Sequence, residues 1–353
     1  MYHHINRGNA RLTTVPVDGG FPANNSGGGS GRIETSLHVE RSGSIAPRAT
    51  IMVYEAPNTN QGFLDLFNAV VVQDQAQVMT CSGGEDELLA TPAYDRAINN
   101  IFMQGAAQGQ SLFAASGDSG AYDGYPRIPV PSVDFPASAP FISAAGGTTL
   151  PINGQVPIPN GTIPLASEHG WGWSYVLPHS QNFGYSSEAA FLPAIFPIGS
   201  GGGTSPAFFR PFYQFGAEYP NTVGRNVPDV ALNVDPFTGY AIYDNNSSPN
   251  PSYGSGWIKG FGGTSFVAPQ WAGIAADINS GLPTSLGFAH PTLYAVAQSS
   301  ANTPHPAYHP IAKGNNWYYT AQSGYNRVPG LGSPDVANLF AAIQQIGHYW
   351  LDA

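Results

Sequence analysis

The sequence predicts an α/β fold, a mostly parallel sheet flanked by helices. Short, nearly continuous apolar runs such as "ATIMVYEAP" and "AQVMTCS" alternate with longer segments of helical spacing. Strands that are apolar on both sides belong in a sheet covered on both faces, the setting of parallel strands joined through helices. No linker divides the 353 residues, so residues 1–353 read as one domain able to bury a large core.

Residues 1–32 are polar and turn-rich and read as a loop, with "VPVDGG" and "NNSGGGSG" as its turns. A helix is expected from Ile33 to about Ala46, stopped by Pro47. "ATIMVYEAP" is a buried strand, "GFLDLFNAVVVQ" a helix and "AQVMTCS" a second strand. Ala97, Ile101 and Ala106 give "ATPAYDRAINNIFMQGAAQG" helical spacing, and "QSLFAASGDSG" follows as strand and turn. "APFISAAGGT" is a further strand. Residues 150–223, rich in Gly, Pro, Ser and aromatics, read as long surface loops decorating the sheet. Then come "VPDVALNVDPFTGYAIYD", a strand pair, and "GFGGTSFVAPQWAGIAADINS", a glycine turn entering a helix. The tail holds short elements and a last helix, "SPDVANLFAAIQQIG".

Composition narrows the function. Charged residues are 10% of the chain, against roughly 25% in an ordinary soluble domain. With 12 Lys plus Arg and a net charge of -10, no basic surface is available to neutralise phosphates, so nucleic acid is not the partner. So few carboxylates lose few ion pairs on protonation, which suits an acidic setting. Cys81 is the only cysteine, which excludes an intrachain disulfide and a multi-cysteine zinc site. No run approaches the roughly 18 apolar residues of a membrane helix. The start, "MYHHINRGNARLTTVPVDGG", lacks the apolar centre of a signal peptide.

Three places could do chemistry. In "GFGGTSFVAP" Ser265 stands where a helix begins, and there backbone N–H groups favour developing negative charge. A nucleophilic serine needs that setting and a base, but an ordinary N-cap serine looks the same. In "ASGDSG" Asp118 closes an apolar strand, where open α/β sheets place ligands, or it closes an Asx turn. In "GRIETSLHVE" Glu34 and His38 share one helix face, which any surface helix also allows.

Five stretches together decide more than each alone. "SIAPRATIMVYEAPNT", "ASGDSG", "VPDVALNVDPFTGY", "GFGGTSFVAPQWAG" and "GLGSPDVANLF" resemble, in order and spacing, the motifs of the sedolisins. These are serine-carboxyl peptidases of subtilisin-like fold, and the likeness is to bacterial kumamolisin-type members, over about Asn9 to Gly347. The resemblance implies Ser265 as nucleophile, Glu34 as general base, and Asp118 as the acid that stabilises the oxyanion. It implies Ser82, Gly83 and Gly84 as the edge along which substrate backbone is laid. It implies a secreted enzyme acting at acidic pH on peptide or unfolded protein, with no nucleic acid or membrane partner.

The same comparison marks departures. His38 occupies the place of an aspartate that orients the glutamate, and Ser82 that of a tryptophan. The family's first strand, which lies ahead of "LTTVPVDGG", is absent, so the chain reads as N-terminally truncated relative to the family. Calcium, usual in the family, would take an aspartate where Pro310 stands and the carbonyl of Ile311. It would also take carbonyls around Gln322 and Gly324 and an aspartate where Asn326 stands. With both carboxylates gone, no tight calcium site is expected, and no other cofactor. The retained Ser265, Glu34 and Asp118 favour an acid-acting endopeptidase. The alternative is a weak or inactive relative keeping the fold and a peptide groove; a carbohydrate-binding or structural module rests only on the loop-rich middle.

Overall fold

Strands without a polar face fold only where helices cover both sides, and the centre of the molecule is built that way. The computed structural model describes residues 11–20, 29–216, 220–244 and 256–351. Six parallel strands carry the fold: β1 (Leu12–Pro16), β2 (Ile51–Glu55), β3 (Val78–Cys81), β4 (Ser111–Ala115), β5 (Ser143–Thr149) and β6 (Val230–Asn233). β3, β4, β5 and β6 form one ladder, with Val78 opposite Ser111, Phe113 opposite Ser143 and Ala145 opposite Val230. β1 pairs with β2 alone, Leu12 opposite Ile51. Among the described residues no backbone pairing joins β2 to β3.

The helices are α1 (Gly29–Ile45), α2 (Asn60–Gln73), α3 (Pro92–Gln108), α4 (Val267–Ser280), α5 (Ala289–Ser300) and α6 (Val336–Leu351). α1 packs on α4 on one face of the sheet, and α2 packs on α3 on the other. Local signals place their ends. The Thr59 hydroxyl accepts from Gly62 N at the start of α2, which ends at Asp74 with φ 47. Thr91 caps α3 ahead of Pro92, and Gly109 closes it with φ 90. β4 and β5 are buried along their whole length. Phe113, Trp271 and Leu293 fill the core on the α4 face, and Phe67, Phe102 and Phe135 fill it on the α2–α3 face.

Five expectations are corrected. Part of the predicted N-terminal loop is a strand: "LTTVP" forms β1, largely exposed, so it lacks the apolar run that marks a buried strand. Residues 1–10 and 21–28 of that loop lie outside the described residues. α1 begins at Gly29, ahead of the expected Ile33. The middle region is more than surface loop. It contains a hairpin, Gln155–Ile158 with Gly161–Pro164, and a helix, Glu188–Ile195, closed around Val156, Val176, Phe191 and Ile195 as a core of their own. The expected strand pair divides between partners: β6 joins the main sheet, while Tyr240–Asp244 pairs antiparallel with Gly256–Phe261. The tail also contains α5, a full helix where only short elements were expected.

A buried ion cluster ties β6 to the rest. Asp229 accepts from Arg225 Nη2 at 2.7 Å, Ala144 N at 2.7 Å and Tyr294 Oη at 2.8 Å, and lies 3.1 Å from His290 Nε2.

Candidate active site

The candidate residues come from separate parts of the fold: Glu34 and His38 from α1, Ser82–Gly84 from beyond β3, Asp118 from beyond β4 and Ser265 from the turn before α4. α1 is anchored by Ile33 and Leu37, buried with Ile242 and Phe266. Arg41 donates to Ala241 O at 2.8 Å and lies over the Tyr240 ring. Near the other end Ile45 meets Gly273 of α4, where an added Cβ would stand 2.7 Å from Ile45 Cβ, so glycine sets the helix spacing. With Ile33 and Leu37 turned inward, the next residue along in each case, Glu34 and His38, faces the end of β3.

There His38 Nε2 lies 2.6 Å from Ser82 Oγ and 3.5 Å from Glu34 Oε1. The two residues that depart from the sedolisin pattern therefore bond to each other. Ser82, Gly83 and Gly84 continue past β3 along the rim of the cleft. Side chains would not fit at the two glycines: a Cβ on Gly83 would lie 2.8 Å from the Phe63 ring, and one on Gly84 2.6 Å from Asp134 Oδ1.

Ser265 sits in a 3-10 turn, Thr264–Phe266, that runs directly into α4. It is not an N-cap: Gly263 precedes the turn, Phe266 opens the helix, and neither end has a side-chain cap bond. Asp118 follows β4 through Gly117, which has φ 99. Its Oδ1 accepts from Thr264 N at 2.7 Å and from Thr264 Oγ1 at 2.9 Å, so a long-range bond replaces the local Asx turn. Gly263, with φ 105, passes so close that a Cβ there would lie 2.5 Å from Asp118 Oδ2. Two glycines thus permit the carboxyl to be clamped beside the serine turn.

The structure brings Ser265, Asp118, Ser82 and Gly84 to one cleft of about 390 Å³, with Glu34 and His38 beside it. It also brings Asp86, Asp123 and Asp134 there, which the sequence reading did not single out. The hints were the acidic "GGEDE" and the second aspartate in "GDSGAYD", but only folding places them together.

The carboxyl groups are tuned in opposite directions. Burial is the strongest influence on Glu34 and acts upward, but the His38 ring and the Ser265 and Ser82 hydroxyls outweigh it and leave the group below its ordinary value. Asp118 opens to the cleft on one side and is crowded by protein on the others. That crowding raises its pKa, against two bonds from Thr264, and the Glu34 charge adds to the rise. Burial, then Asp86 and Asp118, push Asp123 up to about 7. Burial and the neighbouring aspartates push Asp134 well above the usual range.

A model of the Subtilase family matches residues 22–330. The chain is a subtilase of the sedolisin branch. Kumamolisin from Bacillus sp. (strain MN-32) is 34% identical over 349 residues, 94% of this chain and 54% of that protein. Sedolisin from Pseudomonas sp. (strain 101) is 29% identical over 347 residues, 95% of this chain and 52% of that protein. This subtilase therefore spans about half the length of the curated relatives it matches. The structure of Pseudomonas sedolisin complexed with pseudo-iodotyrostatin superposes with a TM-score of 0.76, at 27% identity, over 96% of this chain and 86% of that one. The subtilisin-like fold expected from the motifs is thereby shown. Among the described residues no helix is long and apolar enough to cross a membrane.

The expected calcium loop is closed by side chains. Asn326 Nδ2 donates to Gln322 O at 2.8 Å and Gly324 O at 3.2 Å, and its Oδ1 accepts from Val328 N at 3.1 Å. Pro310 brings no side-chain oxygen, and Ile311 is buried. An amide nitrogen aimed at two carbonyls is the wrong group for a cation, so these residues do not fit calcium.

Proposed function

We propose that this subtilase is a serine endopeptidase acting at acidic pH on peptides or unfolded protein, with Ser265 as nucleophile, Glu34 as base and Asp118 as oxyanion donor. One observation carries the reading. Two carboxyl groups beside one serine have pKa values pushed apart, Glu34 down and Asp118 up. That is how a site assigns one carboxyl to be ionised and the other to keep its proton.

In this reading Ser265 Oγ attacks the scissile carbonyl carbon and Glu34 takes the hydroxyl proton. Asp118, with Oδ1 occupied by Thr264, donates the proton on Oδ2 to the oxyanion. The tetrahedral intermediate collapses to an acyl-serine as Glu34 protonates the departing amine. Water, deprotonated by Glu34, then releases the acid. Substrate backbone lies along Ser82–Gly84, whose main chain offers an edge for strand addition. The bond between His38 and Ser82 fixes the ring that steadies Glu34, which supports catalysis despite the changed partners. An acidic extracellular setting suits the low charge content.

Asp118→Asn tests the assignment. If Asp118 works only while protonated, activity of the parent falls as pH rises through its raised pKa. Asparagine donates at every pH, so the variant's kcat/KM is expected to lose that alkaline limb. An unchanged limb would assign it to another group. The loop around Asn326 gives a second expectation: millimolar calcium leaves Tm unchanged. A rise of many degrees in a thermal melt would contradict the side-chain closure.

A further inference from the structure

Three stretches far apart in sequence, "GAYDGYP", "AIFPIG" and "NNWYYTAQ", bring aromatic rings together beside the cleft. Their backbones are fixed on the turn that carries Asp118. Gly199 N donates to Asp118 O at 3.0 Å, Gly120 N to Gly199 O at 2.9 Å and Ala121 N to Asn316 O at 3.0 Å. Gly120 permits that approach, since a Cβ there would stand 2.6 Å from Asn316 O and 2.8 Å from Pro197 O. The rings then meet in a chain. Phe196 is its centre, with Tyr122 at 5.3 Å, Tyr125 at 5.1 Å and Trp317 at 5.2 Å between ring centres. Tyr318 joins through Tyr122, at 6.1 Å. Tyr125 is set at 88° to Phe196, and Tyr318 at 89° to Tyr122.

This is not core packing. Phe67 and Phe102 of the core are closed off from water, whereas none of these five rings is buried. The two outer ones are the most open, Tyr125 at 43% and Tyr318 at 58%. Five touching rings left in contact with water form an apolar surface suited to a ligand. The backbone gives a second sign. Trp317 has φ 75, a conformation that glycine or asparagine adopts and a bulky residue avoids. The loop holds it there: Trp317 N donates to Asn315 Oδ1 at 3.0 Å, and Trp317 Nε1 donates to Ile198 O at 2.8 Å. An indole kept against backbone preference, and pinned to the Phe196 loop by its own ring nitrogen, serves a purpose at that place.

Continuity with the cleft supplies the occupant. Tyr125 lines the same cleft as Ser265 and Asp118. A peptide extended there, at about 3.3 Å per residue, reaches the rings within about three residues of the scissile bond. None of the five rings carries a charge at acidic pH, so the side chain that gains most by covering them is apolar. We propose that Tyr122, Tyr125, Phe196, Trp317 and Tyr318 form a subsite for one aromatic or large aliphatic side chain of the substrate. The subsite rests on the peptidase reading and narrows its substrates to peptides with such a residue near the cut. Its part is selection, not chemistry.

The test uses the full chain and a library of octapeptides of Gly, Ser and Ala, with Phe, Leu, Arg or Glu placed at one position at a time. Cleavage is read by mass spectrometry. At one position within about three residues of the cut, Phe and Leu are expected to raise kcat/KM at least about tenfold over Ala, Arg and Glu. Tyr318→Ala is expected to bring that ratio to within about twofold, mainly through KM. Should that variant misfold, Tyr125→Ala is read in its place. A preference that survives in the folded variant belongs to another part of the cleft and overturns the proposal. A preference for Arg or Glu at that position, or none at any position, overturns it too. If no peptide is cut, the peptidase reading fails, and binding decides the subsite. The Ser265→Ala chain is then expected to hold a fluorescein-labelled Phe peptide at least about tenfold more tightly than its Ala counterpart, a difference that Tyr318→Ala removes. Equal affinities overturn the subsite.

Discussion

Replacing Glu34 by glutamine is expected to lower kcat by about 10³-fold while KM changes little, because in the proposed mechanism Glu34 is the general base and substrate contacts are kept. Glutamine preserves size and can still bond to His38, so α1 should stay seated on Ile33, Leu37 and Arg41. Circular dichroism checks the fold and single-turnover hydrolysis checks the chemistry. A loss below about tenfold would remove Glu34 from the base role.

Asp229→Ala should produce the largest loss of stability, about 3–5 kcal/mol, because it leaves the fully buried Arg225 charge without its partner. The pH dependence follows from the same groups. Burial acts upward on Asp229, but Arg225 and His290 outweigh it and hold the carboxyl at about 2. Its contribution is present above the ordinary carboxyl value of 3.8 and is lost only as pH falls through about 2. Asp123 works the other way. Raised to about 7, it contributes fully below 3.8 and progressively less as pH rises through about 7. Thermal melts of the parent should therefore give the highest Tm in acid, falling between about pH 4 and pH 7. A maximum at neutral pH with collapse near pH 4 would contradict this account.

The sheet was legible wherever burial imposed a pattern. β4 and β5 are apolar because both faces are covered, and α2 and α3 announce themselves through Thr59, Thr91 and Gly109. β1 was not legible, since an exposed strand with one partner carries no apolar signature. The core of residues 150–223 was hidden because Val156, Val176 and Phe191 are far apart in sequence and meet only after folding. That Ser265, Asp118 and Glu34 are brought together was legible in their motifs, yet the clamp of Thr264 on Asp118 spans 146 positions and left no local trace. Asp123 and Asp134 joined the cleft for the same reason. The pairing of β1 with β2, apart from the β3–β6 ladder, is set by strand order, which no single segment encodes.

The central claim is that Ser265, served by Glu34 and Asp118, cuts peptide bonds. Its most direct test is hydrolysis of a peptide library between about pH 2 and pH 7 by the chain and by its Ser265→Ala variant, with products read by mass spectrometry. The account predicts cleavage by the parent that is strongest in acid and a loss of at least about 10³-fold in the variant. Equal rates for the two proteins at every pH would contradict it.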